Sequence, residues 1–211
     1  MREFFSYDGP LMRALTGITT LLILNVLTLV CSLPLFTAGA ALASLNYCIM
    51  KMVDDEDTGI VRMYFSQFKS NFKSVTPAWL VLLGLGAFLF FDYQVFLASA
   101  ESVRMVAVVL IYMAGLVWML IYVWFFPLAA KFENGFAAKF KNALIMAVGA
   151  LPQTVGMVAI WVVILFVLCR SYRLLPLLLF FGLSLPAYLS SFLYYPVINR
   201  QIEGDEKDSS D

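Results

Sequence analysis

Few polar side chains in this sequence could do chemistry inside a membrane. Asp92 is an acidic residue inside a long apolar stretch, and Asn25 and Asn46 lie in the first uncharged run. An intramembrane carboxylate is a candidate for a solute pathway, or else for a structural pair with Arg104 near the membrane surface. The two asparagines lie on either side of a turn signal at 32–39, so we expect their amides to bond to each other across a helical hairpin, with a substrate contact as the alternative. Asn25, Asn46 and Asp92 are therefore the candidate intramembrane polar site.

Other kinds of chemistry find little support in the residue types. Histidine is absent, which excludes histidine-based triads, metal sites and proton relays. Cys31, Cys48 and Cys169 are odd in number and irregularly spaced, which argues against a disulfide framework or a metal site. No nucleophile–base pair, phosphate loop or dinucleotide fingerprint is present. We expect a protein that is not an enzyme, with no catalytic residue, metal or cofactor, and its net charge of zero argues against nucleic-acid binding.

The elements that must position these residues are long and apolar. Hydrophobic residues make up 62% of the chain and charged residues 13%, against roughly half and a quarter in soluble proteins. Residues 14–50 contain no charged side chain, whereas about 20 helical residues suffice to cross a bilayer. The sequence predicts an all-α polytopic membrane helix bundle, with residues 1–200 as a single transmembrane domain and 201–211 as a disordered acidic tail.

The span boundaries follow from the apolar runs and from the charges between them. Six spans are predicted, at 14–36, 39–53, 77–98, 105–128, 152–169 and 175–198. Five are the alternative if residues 39–53 lie flat on the membrane. With six spans, eleven of the 14 Lys and Arg residues fall on one side, and such an excess marks the cytoplasmic face. We therefore expect six spans with both termini in the cytoplasm, and a kink at Pro186 in the last span.

Two basic amphipathic helices are predicted on the cytoplasmic side. In residues 60–75, aromatic and aliphatic side chains recur at helical spacing between basic and amide ones, and a weaker copy spans residues 132–142. Helices of this kind lie in the membrane interface. Pro77 and Pro152 are expected to open the spans that follow, and the recurrence indicates a possible parallel internal repeat. The candidate partner interface consists of Phe65, Phe68, Lys69, Asn71, Phe72, Lys73, Phe136, Phe140, Lys141 and Asn142.

Four short segments carry a family resemblance. Residues 4–11 (FFSYDGPL), 33–34 (LP), 65–72 (FSQFKSNF) and 141–144 (KNAL) together resemble the YesL-like family of small bacterial integral membrane proteins. Members of that family tend to be encoded beside carbohydrate uptake systems. The resemblance, which extends over most of the chain, implies a Gram-positive cytoplasmic-membrane protein linked to sugar import.

Three functions remain open at this point. The resemblance and the paired basic helices favour a non-enzymatic accessory subunit of a bacterial carbohydrate ABC importer, with the lipid bilayer, the permease and the ATPase as partners. A small stand-alone or dimeric transporter of a sugar-related solute is the alternative, and its site would be Asn25, Asn46 and Asp92. A membrane scaffold or sensor for a signalling partner is the third. The sequence names neither the solute nor the oligomeric state.

Overall fold

A computed structural model describes residues 10–54, 59–132, 135–170 and 175–208. Within these ranges the regular elements are helices, and no strand is assigned, so the all-α prediction is confirmed. The helices are α1 (Pro10–Cys31), α2 (Ala38–Val53), α3 (Ile60–Leu97), α4 (Glu101–Lys131), α5 (Phe136–Gly149), α6 (Leu151–Arg170), α7 (Leu175–Phe181) and α8 (Ser184–Asp208), and a 3₁₀ turn at Leu35–Thr37 precedes α2. Residues 4–9 of the family resemblance, Arg173 and the side chain of Cys169 lie outside the described part.

Several helices have the length and composition of membrane spans. Three qualify individually: Leu35–Val53, Ile60–Leu97 and Val103–Lys131. The pair Phe136–Gly149 and Leu151–Ile164, bent by 101° at its break, would make a fourth if it counts as one span, and Leu15–Cys31 is a shorter apolar helix. The chain is therefore a multi-pass membrane protein by its helices, while the count of six spans and the side on which each terminus lies stay predictions.

Helix α2 is the central element, because α1, α3, α4 and α8 all pack on it. Its first half is rich in small residues, which let neighbouring helices approach closely without large side chains in between. Trp79 of α3 lies directly against Gly39, where an added Cβ would come within 2.3 Å of the Trp79 Cβ. The Trp79 Nε1 also donates a hydrogen bond of 2.7 Å to the carbonyl of Leu35. Gly39 is thus required by a close helix contact.

Helix α3 joins two elements that the sequence predicts as separate. It runs without a break from Ile60 to Leu97, and Pro77 lies inside it rather than at the start of a span. Proline leaves the carbonyl of the residue four positions earlier without its helical donor. That residue is the exposed Lys73, where solvent or lipid headgroups can satisfy the carbonyl. By contrast, Pro152 lies second in α6, as expected for a proline that opens a helix.

The last predicted span, 175–198, is two helices. Helix α7 ends at Phe181 and α8 begins at Ser184, with Gly182 and Leu183 forming a turn between them. The predicted kink at Pro186 is wrong, because this proline lies in the first turn of α8, where its missing N–H has no helical partner to lose. The helix is interrupted before this proline, at the turn formed by Gly182 and Leu183.

The C-terminal part of α3 and the N-terminal part of α4 form a helical hairpin with mostly exposed apolar side chains. Phe91 and Met105 are each 67% exposed and Leu110 is 60% exposed. Trp118 Nε1 of α4 donates a hydrogen bond of 2.8 Å to the carbonyl of Leu82 of α3, which ties the two helices together. Such a surface is stable in contact with lipid, in agreement with a membrane location for this hairpin.

The C-terminal boundary differs from the prediction. Helix α8 continues to Asp208, so residues 201–208 of the predicted disordered tail are helical, and 209–211 lie outside the described residues. Extending an existing helix avoids the cost of nucleation, and Gln, Glu and Lys are good helix formers. The acidic composition was therefore a poor guide to local structure here.

Candidate functional site

The predicted partner interface divides between the start of α3 and the start of α5. Helix α5 begins at Phe136, four residues after the predicted start. The chain turns by 101° between it and α6, whereas the first copy continues without a break into its span. The two copies thus share a sequence pattern but differ in local geometry. Their contact with each other is the feature that makes them one candidate surface.

Lys139 joins the two helices. It lies on α5 and is only 4% exposed, and its ammonium donates hydrogen bonds to the Ser74 carbonyl at 2.9 Å and to the Ser74 Oγ at 2.8 Å. A buried ammonium is costly unless it is well hydrogen-bonded, so these bonds set the position of α5 against α3. One signal for this burial is in the sequence: at helical spacing, Lys139 lies on the same face of α5 as the apolar residues Ala143 and Met146, which are both buried.

Aromatic stacking adds a second attachment of α5. Phe140 contacts Phe125 of α4 with ring centroids 5.5 Å apart, and its ring lies 5.3 Å from that of Phe136. On α3, Phe68 and Phe72 are 6.0 Å apart. Of the ten predicted interface residues, Asn71 is buried and Phe68, Phe140 and Asn142 are partly buried. We call the remaining exposed set the basic–aromatic surface: Phe65, Lys69, Phe72, Lys73, Phe136 and Lys141.

Asn25 has a different role from the one predicted. Its side chain is fully buried; Nδ2 donates to the carbonyl of Leu179 at 2.7 Å, and Oδ1 accepts the N–H groups of Leu183 and Ser184 at 2.8 and 3.0 Å. All three partners border the break between α7 and α8. The amide therefore caps a helix interruption rather than pairing with Asn46.

Asn46 bonds to another point on the same final segment. Its Nδ2 donates to the carbonyl of Leu42 at 2.8 Å, and its Oδ1 accepts the hydroxyl of Tyr194 at 3.2 Å. Tyr194 is completely buried. The expected bond between the two asparagines is thus replaced by separate bonds to the α7–α8 segment, three from Asn25 of α1 and one from Asn46 of α2.

Asp92 lies near the C-terminal end of α3 and is partly buried. Its neighbour Tyr93 contacts Tyr112 of α4 with ring centroids 6.1 Å apart. The hydrogen bonds of Asn25 and Asn46 do not include Asp92, and within the described ranges no ion pair joins it to Arg104. The structure therefore gives each of the three predicted polar residues its own surroundings.

A further polar contact, which the sequence did not indicate, holds the bend between α5 and α6. Trp124 is fully buried and its Nε1 donates to the Thr154 Oγ1 at 2.8 Å. The Thr154 hydroxyl in turn lies 3.0 Å from the carbonyl of Ala147 and 2.9 Å from that of Ala150. This chain of bonds crosses from α4 to both sides of the bend.

A small cleft lies between α2, α4, α6 and α8. Its volume is about 20 Å³, room for about one water molecule. Its lining residues are Leu42, Asn46, Tyr122, Val123, Phe126, Pro127, Trp161, Ala187, Ser190 and Tyr194. In the ranges described, no three His, Cys, Asp or Glu side chains come together as metal ligands would.

The comparisons with known proteins point to one family. A family described as "Protein of unknown function, DUF624" matches residues 21–93. These residues extend from the middle of α1 to near the C-terminal end of α3 and include the first basic segment. No curated protein and no solved structure matches the chain. This chain is thus similar to that family over the second half of α1, α2 and most of α3.

Proposed function

We propose that this protein is a non-enzymatic accessory subunit of a carbohydrate ABC importer in the cytoplasmic membrane of a Gram-positive bacterium. Its spans pack on the permease, and its basic–aromatic surface contacts the permease or the ATPase on the cytoplasmic side. The observation that carries the proposal is the joining of two separate basic segments, through Lys139 and Ser74, into one supported surface.

The composition of this surface suits a protein partner. Aromatic side chains supply much of the binding free energy at interfaces, and cations around them set orientation and association rate. Phe65 and Phe136 are about half exposed, at 49% and 50%, so each can still bury a large apolar area in a complex. Lys69, Lys73 and Lys141 are exposed on the same two helices.

The surface is also held in place before any partner arrives. Helix α5 is attached to α3 by the Lys139 bonds and to α4 by the Phe125–Phe140 contact. A rigid surface loses little conformational entropy on binding. This favours a docking role for α5 over that of a loose membrane-surface helix.

The choice of an importer rests on the resemblance to the YesL-like family alone, because the family matched over residues 21–93 is described only as one of unknown function. The choice of an accessory subunit over a stand-alone transporter is supported by the use of the buried amides. The hydrogen bonds of Asn25 and Asn46 go to backbone groups and to the Tyr194 hydroxyl within this protein. A solute site would need such groups free to face the solute.

The test is an affinity purification of the tagged full-length protein from its native host in mild detergent, with quantitative mass spectrometry. We expect stoichiometric recovery of a sugar ABC permease and its ATPase. The double variant Lys69→Glu and Lys73→Glu should lose most of this recovery. Arg170→Glu with Arg200→Glu, an equal change of charge at two exposed cations elsewhere, serves as the matched control.

Three results would contradict the proposal. The first is recovery of the protein alone, as a monomer or dimer, which would direct attention to solute flux in proteoliposomes and to the variant Asp92→Asn. The second is stoichiometric recovery of a signalling protein in place of the transporter subunits, which would favour the scaffold or sensor hypothesis. Equal loss in both charge-reversal variants would show that the basic–aromatic surface is not the contact.

A further inference from the structure

The cleft between α2, α4, α6 and α8 contains a hydroxyl group without a partner. Ser190 lines this cleft and is only 4% exposed, and its Oγ forms no hydrogen bond within the described residues. A buried hydroxyl that is left unpaired destabilises the folded protein. Buried polar groups of this kind are commonly paired with an ordered water molecule.

A backbone acceptor lies in the same cleft. Pro127 is inside α4 and has no N–H, so it cannot donate to the carbonyl of Val123 four residues earlier. Both residues line the cleft, and the side chain of Val123 is buried. In an apolar surrounding, a neighbouring helix, a hydroxyl group, an ordered water or a local adjustment of the helix satisfies a carbonyl of this kind.

Two more polar groups border the cleft from α2 and α8. Asn46 Oδ1 accepts the Tyr194 hydroxyl at 3.2 Å, a rather long bond, and the Asn46 Nδ2 donates to Leu42 at 2.8 Å. The Tyr194 oxygen can accept one hydrogen bond in addition to the one that it donates, and the Nδ2 group has a second hydrogen. Residues with hydrogen-bond donors or acceptors from three helices thus line one small space.

We propose that this cleft binds a single structural water molecule. The water donates to the Val123 carbonyl and pairs with the Ser190 hydroxyl, and the Asn46–Tyr194 pair offers it a further partner. The volume of about 20 Å³ exceeds the roughly 10–15 Å³ that one water needs, and a buried water makes about three hydrogen bonds. A cleft of this volume is too small for a sugar or any other larger solute. The proposal is independent of the proposed function.

Such a water would support the proline-containing stretch of α4 from the side of α8. Because it links Val123 to Ser190, it replaces the helical hydrogen bond that Pro127 removes. A water-mediated bond is enthalpically nearly as good as a direct one. The cleft is then a site for a structural water at the junction of four helices.

Radiolytic hydroxyl-radical footprinting of the full-length protein in nanodiscs tests the proposal directly, since radicals formed from a bound water oxidise the side chains next to it. We expect oxidation of Tyr194 clearly above that of Tyr64. Both tyrosines are completely buried, and Tyr64 does not line the cleft. Equally low oxidation of the two would overturn the proposal. In Ser190→Val, whose added methyl groups occupy the water's space, the Tyr194 oxidation should fall.

The sign of the change in Tm distinguishes a cleft that holds the water from one that does not. With the water in place, Ser190→Ala removes one of its partners and should lower the Tm in detergent by about 2–4 °C. With no water, the same change removes an unpaired hydroxyl and raises the Tm. Ser184→Ala is the matched control, because the Ser184 Oγ is also buried without a partner but does not line the cleft. A rise for Ser190→Ala, or equal falls in both variants, contradicts the water site.

Discussion

The side-chain oxygen of Asn25 accepts the backbone N–H of Ser184 at 3.0 Å, across 159 positions of the chain. The same oxygen accepts the N–H of Leu183, and the amide nitrogen donates to Leu179. One amide from α1 therefore satisfies three backbone groups that the break between α7 and α8 would leave unpaired. In an apolar environment such groups are expensive to leave without partners, so the first and last parts of the bundle depend on each other.

Replacement of Asn25 by leucine, a side chain of similar size, should destabilise the protein by about 1–3 kcal/mol, because two N–H groups and one carbonyl lose their partner. Thermal unfolding in detergent measures this loss. Asn142→Leu is the control, since that asparagine is partly buried on α5 and caps no helix break. Similar Tm values for Asn25→Leu and the unmodified protein would show that the break is satisfied in another way.

Gly39→Ala should be strongly destabilising, although the new side chain is a single methyl group. The added Cβ would lie 2.3 Å from the Cβ and 2.5 Å from the Cγ of Trp79, so α2 and α3 would have to move apart. Overpacking of this kind costs about 1–3 kcal/mol.

Gly17→Ala provides the contrast, because nothing lies within 4 Å of the Cβ position there and alanine favours helix more than glycine. Its Tm should stay the same or rise. In the double variant Gly39→Ala with Trp79→Leu, the cost of the two changes should be less than the sum of the single costs. A strictly additive result would mean that the two residues do not compete for the same space.

Lys139→Met should loosen α5, because the Ser74 carbonyl and hydroxyl lose the ammonium that pairs with them. We expect a loss of about 1–3 kcal/mol and faster proteolysis around residue 135. Lys141→Met, two positions along the same helix but exposed, should change the stability by less than about 0.5 kcal/mol. Equal effects of the two variants would show that Lys139 contributes no more than an ordinary surface lysine.

Thr154→Val keeps the shape of the side chain but removes the acceptor of the Trp124 N–H, which is fully buried. The variant should lose about 1–3 kcal/mol, whereas Thr154→Ser, which keeps the hydroxyl, should lose less. Intrinsic tryptophan fluorescence and thermal unfolding together follow the change. A Thr154→Val protein as stable as Thr154→Ser would argue that packing, not this hydrogen bond, maintains the bend between α5 and α6.

The sequence determined the class of the protein and the type of its elements. Long uncharged runs such as residues 14–50 can be accommodated only as helices in a membrane. The spacing of aromatic and basic residues in 60–75 and 132–142 likewise predicts helices; the structure has the first in full and the second from Phe136 onward. These features are local, because hydropathy and helical periodicity depend on neighbouring residues alone.

The tertiary structure decided which groups meet. The sequence predicts a bond between Asn25 and Asn46, but each instead bonds to a residue some 150 positions away, and no periodicity carries that information. The burial of Lys139 against Ser74 and the continuity of α3 through Pro77 depend on which helix packs alongside and on which face stays exposed. In a bundle built from apolar helices of similar character, the few polar groups find their partners only when the helices have packed, because the cost of leaving those groups unpaired is set by the final surroundings.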